Sequence, residues 1–375
     1  MKYYIIAGEA SGDLHGANLM KALKKEDPNA EFRFWGGDLM REVGGEEVKH
    51  YRDLAFMGFL EVAMNLGTIL KNIKFCKNDI KTFHPDAIIF IDYPGFNLRI
   101  AKWAKKQGFR THYYISPQIW AWKEGRIKDI QRDVDEMYVI LPFEKEFYEN
   151  KHNYPVHFVG HPLIDAIHNR PFIGISEFQH KHGLDTRPII ALLPGSRKQE
   201  IKKMLDVMIS ATDQFSEYQF VIAGAPGQET EFYEQFTTAR EGIHFVTNKT
   251  YDLLSVSTAA LVTSGTATLE TALFKVPQVV CYKGGRVSYE IAKRVINLEY
   301  ISLVNLILDK PVVTELIQTD FNKKRLQKEL NRILDPEIRN TMFLDYYDLE
   351  QKLGGRGASA NTAKLIVSKL RSQID

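Results

Sequence analysis

With 375 residues, 44% of them hydrophobic and 26% charged, the chain has the length and balance of a globular protein with two sizeable cores. A formal net charge of +2 excludes a strongly basic nucleic-acid binder on composition and leaves only a local basic face open. Cys76 and Cys281 stand too far apart and too isolated for a disulfide framework or a zinc site, and no apolar run approaches the roughly 18 to 20 residues that span a bilayer.

The chain enters a strand at once, at Lys2 to Ile6, without the charged, apolar and small-residue regions of a secretion signal, so a cytoplasmic protein is expected. That strand runs into Ala7-Gly8-Glu9-Ala10-Ser11-Gly12-Asp13 and then a helix pattern carried by Leu14, Leu19, Met20 and Leu23. A glycine-serine turn at the carboxyl end of a strand is where doubly wound sheets bind ligands, although the GxGxxG spacing of a dinucleotide site is missing. Glu9 and Asp13 fit either a carboxylate pair near chemistry or a solvated residue and a helix-start charge.

After a second strand at Glu31 to Trp35, the segment from Tyr51 to Lys81 is unusually apolar, with Phe56, Met57, Phe59, Leu60 and further apolar residues to Phe75. Lys71, Lys74, Lys77 and Lys81 decorate its second half. This pattern suits a helix lying in a membrane interface, or equally a core-facing helix with a wet lysine face. Ala87 to Ile91 reads as a buried strand that stops at Asp92-Tyr93-Pro94-Gly95-Phe96-Asn97, placing Asp92 where a reacting carboxylate or a helix cap is expected. Thr111 to Ile115 leads into Ser116-Pro117-Gln118-Ile119-Trp120-Ala121-Trp122-Lys123. Trp120 and Trp122 offer a platform for a sugar ring, a lipid-proximal surface or simple packing between strands. Strands at Glu136 to Leu141 and Val156 to Val159 complete one doubly wound domain, closed by Gly160-His161-Pro162, in which His161 is a substrate-orienting group or a hinge.

Periodicity fades between residues 166 and 187, the expected linker, and a second alternating series starts at Pro188. Ile189 to Leu193 ends in Pro194-Gly195-Ser196-Arg197, where backbone N–H groups, Ser196 and a guanidinium make a diphosphate clamp. Ala259 to Thr263 ends in Ser264-Gly265-Thr266 at the start of a helix, a second turn suited to phosphate. Glu270, one turn deeper on the same face, is placed to accept both hydroxyls of a ribose, or is a solvated helix glutamate. From Thr319 the chain reads as helices, interrupted at Gly354 to Gly357. The expected organisation is thus α/β with two Rossmann-like doubly wound domains facing a cleft, of the GT-B type, over 1–165 and 188–340, with C-terminal helices from 341 packing on the first domain or a partner subunit.

Six of these stretches occur in an order that resembles the lipid-A-disaccharide synthases: Ala7 to Asp13, Phe56-Met57-Gly58, Ile91 to Asn97, Ser116 to Trp122, Leu193 to Arg197 and Ser264 to Glu270. The resemblance runs from the first strand to about Asn305. It implies an inverting glycosyltransferase that moves 2,3-diacylglucosamine from UDP to the 6-hydroxyl of 2,3-diacylglucosamine 1-phosphate (lipid X), in lipid A biosynthesis. By that resemblance Asp92 is the general base, and Glu9, Ser11, Gly12 and Asp13 line the acceptor side. Gly195, Ser196 and Arg197 hold the diphosphate, Ser264, Gly265 and Thr266 the phosphates, and Glu270 the ribose. The family's Ser-Leu-Pro-Asn segment stands here as Ser302-Leu303-Val304-Asn305, so Asn305 keeps its place on a loop without the proline. Phe56, Met57, Phe59 and Leu60, with Trp120 and Trp122, are the expected acyl and membrane contacts, docking the protein peripherally on the cytoplasmic leaflet of the inner membrane. A homodimer, no nucleic acid and no metal or other cofactor are further expectations, since Asp133-Val134-Asp135 sits in a charged helix-to-strand transition rather than in a metal-holding loop. The rivals are an epimerase or muramyl-pentapeptide transferase of the same architecture, and a non-catalytic nucleotide-sugar-binding or membrane-scaffold protein.

Overall fold

The computed structural model describes residues 1–54, 66–196, 198–225, 228–238, 240–285 and 299–372. It divides into two compact units, Met1–Ala166 with Leu353–Asp375, and Ile167–Lys352.

The first unit is built on β1 (Lys2–Ala7), β2 (Glu31–Gly36), β3 (Glu46–His50), β4 (Ala87–Ile91), β5 (Thr111–Tyr114), β6 (Glu136–Val139) and β7 (His157–Phe158). The sheet order is β3-β2-β1-β4-β5-β6-β7, with every pairing parallel. Helices cover both faces of such a sheet, so its central strands are apolar throughout rather than alternating. The Ala-Ile-Ile-Phe-Ile of β4 is accordingly buried along its whole length. The order reverses between β1 and β4, and the crevice outside the carboxyl ends of those strands is the place for a ligand.

The helix Leu66–Phe83 turns Ile73, Cys76 and Ile80 into the core. A buried relay fixes it to the sheet: Trp35 Nε1 donates to Tyr4 Oη at 2.8 Å, Tyr4 Oη donates to Asp79 at 2.7 Å, and Arg33 forks onto the same carboxylate at 2.7 and 2.9 Å. On its other side Leu70 and Phe75 are 57% and 49% exposed among exposed Lys71, Lys74 and Lys81. The helix is therefore a core element that also presents an apolar, basic outer face.

The second unit repeats the design with β8 (Ile189–Leu193), β9 (Gln219–Gly224), β10 (Ile243–Thr247), β11 (Ser257–Thr263), β12 (Gln278–Tyr282) and β13 (Thr314–Ile317), in the parallel order β10-β9-β8-β11-β12-β13. Its switch point lies between β8 and β11. Residues 166–187 are more than a linker: they contain the helix Ile175–Lys181, whose Phe178 is fully buried in the second core. The C-terminal helices do not form one group either. Pro336–Lys352 stays with the second unit, where Glu350 takes an ion pair from Lys275 at 2.5 Å. Ala358–Arg371 belongs to the first, tied there by Gly357 N donating to Asp165 at 2.7 Å and His161 N donating to Leu353 O at 2.9 Å. Cys76 and Cys281 are free and buried.

Candidate functional site

Asp92 follows the last residue of β4, at the switch point of the first sheet. Its backbone is left-handed (φ 44°), as is that of Tyr93 (φ 48°). Two consecutive non-glycine residues in that region cost of order 1–3 kcal/mol each and persist only where their surroundings over-determine them. Here the Asp92 carbonyl accepts from Asn97 Nδ2 at 2.7 Å and from Tyr113 Oη at 2.6 Å, while Asp92 N donates to Tyr114 O at 3.2 Å. Asn97 is wholly buried and also reaches the carbonyls of Ile91 and Ile6, at 3.3 and 3.4 Å. Asn97 thereby joins the ends of β1 and β4. Gly8 completes the packing, because a Cβ there would sit 2.3 Å from the Tyr93 ring.

Desolvation and, second, the negative charge of Glu9 push the Asp92 carboxyl up to about 6, against one backbone hydrogen bond that lowers it. Such a carboxylate is ionised near neutrality yet basic enough to take a proton in a transition state. Glu9 and Ser11 are exposed at the start of the helix Ala10–Glu26, and Gly12 is buried with a Cβ position 3.1 Å from that of Ala7.

Asp13 requires a correction. It is 3% exposed, and its carboxylate accepts from the backbone N–H groups of Gly37, Leu39 and Met40 at 2.8, 3.1 and 3.1 Å. Those N–H groups open the helix Asp38–Val43, so Asp13 caps a helix from a distance and is not available as a base or acceptor contact. His161 is also structural: burial pushes it down to about 3, and Nδ1 accepts from Leu163 N at 3.2 Å. The aspartates flanking Val134 are engaged too, Asp133 by Arg132 at 2.5 Å and Asp135 by Thr111 N at 2.9 Å. Among the described residues no group of three or more His, Cys, Asp or Glu side chains is placed to hold a metal ion.

Along the same edge of the sheet, Trp120 is half-buried, its ring edge-on to Phe143 with centroids 4.8 Å apart. Trp122 is 48% exposed, with Lys123 Nζ 4.0 Å from its ring centroid.

In the second unit a cavity of about 320 Å³ lies between the ends of β8 and β11. Gly195 and Ser196 line it from one turn, Ser264, Gly265 and Thr266 from the other, and Glu270 from the helix Thr266–Leu273. Gly265 precedes that helix at φ 152°, no side chain among the described residues caps its first turn, and Thr266 and Ala267 of that turn line the cavity. Gly195 is at φ 101°, and a Cβ there would meet Glu200 at 2.7 Å. Tyr251 Oη donates to Glu270 Oε1 at 2.8 Å, and desolvation raises the Glu270 carboxyl. Thr263 also contributes to the lining of this cavity, and its Oγ1 is buried without a hydrogen-bond partner among the described residues.

Asn305 does not join this set. It is 1% exposed, its Oδ1 accepts from Val313 N at 2.9 Å, and its Nδ2 donates to Val313 O and Glu315 Oε1 at 2.9 and 3.0 Å. Its amide is spent holding its own loop. Glu315 also accepts from Ile301 N and Ser302 N at 3.0 and 2.9 Å, tying the start of this loop to β13. Arg197 and the Phe56, Met57, Phe59 and Leu60 cluster lie outside the described residues. Sequence reasoning missed Tyr251, Thr263 and Glu200, which carry no local motif, and Glu144, whose position three residues into a Pro-started helix is a capping signal.

The fold is widely shared. The UDP-GlcNAc 2-epimerase of Neisseria meningitidis, solved with UDP-GlcNAc bound, aligns over 99% of this chain and 100% of its own at a TM-score of 0.66 and 13% identity. A glycosyltransferase from Rickettsia africae aligns over 98% of both chains at 0.57 and 13%. At such identities the likeness shows the architecture alone, which transferases and epimerases have in common. Sequence separates them. The lipid-A-disaccharide synthase of Geobacter sulfurreducens is 37% identical over 99% of this chain and 97% of its own, and that of Syntrophus aciditrophicus 40% identical over 98% and 97%. With the profile of the lipid-A-disaccharide synthetase family matching residues 3–365 as well, this chain belongs to the lipid-A-disaccharide synthase family.

Proposed function

We propose that this protein transfers 2,3-diacylglucosamine from its UDP derivative to the 6-hydroxyl of 2,3-diacylglucosamine 1-phosphate, giving the β(1→6) disaccharide 1-phosphate and UDP. The observation that carries the reading is identity of 37–40% over nearly the whole chain with lipid-A-disaccharide synthases.

In this reading Asp92 accepts the 6-hydroxyl proton as that oxygen attacks the anomeric carbon. The bond from that carbon to the diphosphate breaks on the opposite face, its electrons pass to the leaving oxygen, and configuration inverts. The developing charge on UDP meets backbone N–H groups of the Gly195–Ser196 and Ser264–Thr266 turns and the positive end of the helix Thr266–Leu273, reinforced by Arg197. Glu270, oriented by Tyr251, takes the ribose hydroxyls. No metal enters this scheme.

No helix among the described residues is long and apolar enough to cross a membrane. The acylated substrates are instead met at the bilayer surface, with Phe56, Met57, Phe59 and Leu60 and the exposed Leu70, Phe75 and lysine face as the docking surface.

The test supplies purified protein with UDP-2,3-diacylglucosamine and either lipid X or glucosamine 1-phosphate, with and without EDTA, and follows disaccharide by mass spectrometry. Product from the acylated pair, undiminished by EDTA, is expected. No product from that pair would overturn the reading, and abolition by EDTA would overturn the metal-free scheme.

A further inference from the structure

Glu144 is 1% exposed, and the proposed transfer gives it no task. Its surroundings supply hydrogen-bond donors rather than a cation. Oε2 accepts from Ile140 N at 3.1 Å and Leu141 N at 2.9 Å, a local arrangement at the start of the helix Pro142–Glu146. A cap of that kind needs no burial and no second oxygen. Yet Oε1 crosses to the segment that follows β5, accepting from Ser116 Oγ at 2.8 Å and Trp120 Nε1 at 3.3 Å. Tyr148 Oη lies 3.2 Å from the same Ser116 oxygen and extends the network. Burial pushes the Glu144 carboxyl up to about 7, a cost that the cap alone does not explain.

The segment held in this way adjoins the Asp92 turn. β5 pairs with β4, Tyr113 and Tyr114 of β5 both hydrogen-bond the Asp92 backbone, and Ser116 comes two residues later. Ile119, between Ser116 and Trp120, is buried in the core cluster that also takes in Phe96 and, at its edge, Tyr93.

We propose that Glu144 is a positioning residue: by bridging the end of β6 to Ser116 and Trp120, it fixes the Trp120 indole on the segment that follows β5, the strand that holds the Asp92 turn, and so sets the affinity for the acceptor sugar. The inference rests on the transferase reading for its acceptor and on geometry alone for the bridge.

The experiment compares the full-length native protein with Glu144→Ala, Glu144→Gln and Trp120→Phe, measuring kcat and the KM of each substrate, and UDP binding by calorimetry. Indole fluorescence is followed with and without Glu144→Ala in a Trp122→Phe background, and the spectrum of the same background carrying Trp120→Phe is subtracted to remove the emission of Trp35 and Trp103. Glu144→Ala is expected to raise the acceptor KM ~10-fold or more, the scale of losing hydrogen bonds to a charged group, with UDP affinity within ~2-fold of native. Glu144→Gln keeps one acceptor oxygen for Ser116 and Trp120 but sets its NH2 against the Ile140 and Leu141 N–H groups, so it recovers only part of the loss. Trp120→Phe raises the acceptor KM in the same direction, and the Trp120 share of the emission shifts to the red in Glu144→Ala. An unchanged acceptor KM, an equal loss for both substrates or a native emission spectrum overturns the proposal. If Glu144→Ala does not fold, Trp120→Phe with a native acceptor KM overturns it equally well. A native protein that makes no disaccharide defeats the transferase reading instead, and the emission comparison, which needs no substrate, still decides the bridge.

Discussion

The acid limb of the pH–rate profile is the most direct reporter on the Asp92 turn, and Glu9→Gln is the change that moves it. Asp92 is carried from the ordinary 3.8 to about 6 chiefly by desolvation, with the Glu9 charge as the second cause. A general base works only when deprotonated, so kcat/KM rises about tenfold per pH unit up to about 6 and is level above it. Removing the Glu9 charge favours the ionised form of Asp92, so the limb moves to lower pH. Because desolvation is the larger cause and Glu9 is exposed to screening solvent, the displacement is set at ~0.3–1 pH unit. The plateau rate falls only modestly, since Asp92 is fully ionised there in both proteins and is only a slightly weaker base in the variant. The assay is UDP release in mixed micelles from pH 4.5 to 8.5, at ~0.05 M and ~0.5 M salt, where the Debye length falls several-fold and the difference between native protein and variant shrinks. A limb that stays in place, or moves up, refutes the assignment of this titration to Asp92 under the influence of Glu9.

Three further outcomes follow from the geometry. Asn97→Ala removes the 2.7 Å donor to the Asp92 carbonyl and the tie between β1 and β4, so urea unfolding should show a loss of about 1–3 kcal/mol, and kcat should fall more than KM rises as the left-handed turn relaxes. Glu270→Gln should weaken UDP binding by ~10-fold or more in calorimetry, and Tyr251→Phe, which frees rather than removes the carboxylate, by less. Replacing Phe56, Met57, Phe59 and Leu60 together by serine should reduce flotation with anionic liposomes while circular dichroism and the melting transition stay native; a variant that unfolds instead identifies those side chains as core.

What the sequence could show follows from the range of each interaction. Parallel strands buried on both faces read as unbroken apolar runs, so β1, β4, β8 and β11 are plain in the chain, and the turns after them carry Gly8, Asp92, Gly195 and Gly265 at the switch points. The side-chain partners were not legible, because they are contributed from far along the chain. Asp13 looks like a free carboxylate until Gly37, Leu39 and Met40 arrive to be capped by it, 24 to 27 residues later. Asn305 looks like a ligand contact until Val313 and Glu315 take up its amide. The helix Ile175–Lys181 hid in a polar, histidine-bearing stretch because a single residue, Phe178, carries its attachment to the core. Tyr251, 19 residues from Glu270, belongs to no pattern that spacing within one element reveals.

The central claim is that this chain makes a glycosidic bond with Asp92 as the base, and turnover by Asp92→Asn, measured alongside UDP affinity, tests it most directly. The substitution keeps the size of the side chain and leaves the carbonyl clamp of Asn97 and Tyr113 in place. The account predicts UDP binding within ~2-fold of native and disaccharide formation at least ~100-fold slower, the scale of losing a general base. Turnover within a few-fold of native would contradict it and move the search for the base to Glu9, the other carboxylate at the Asp92 turn.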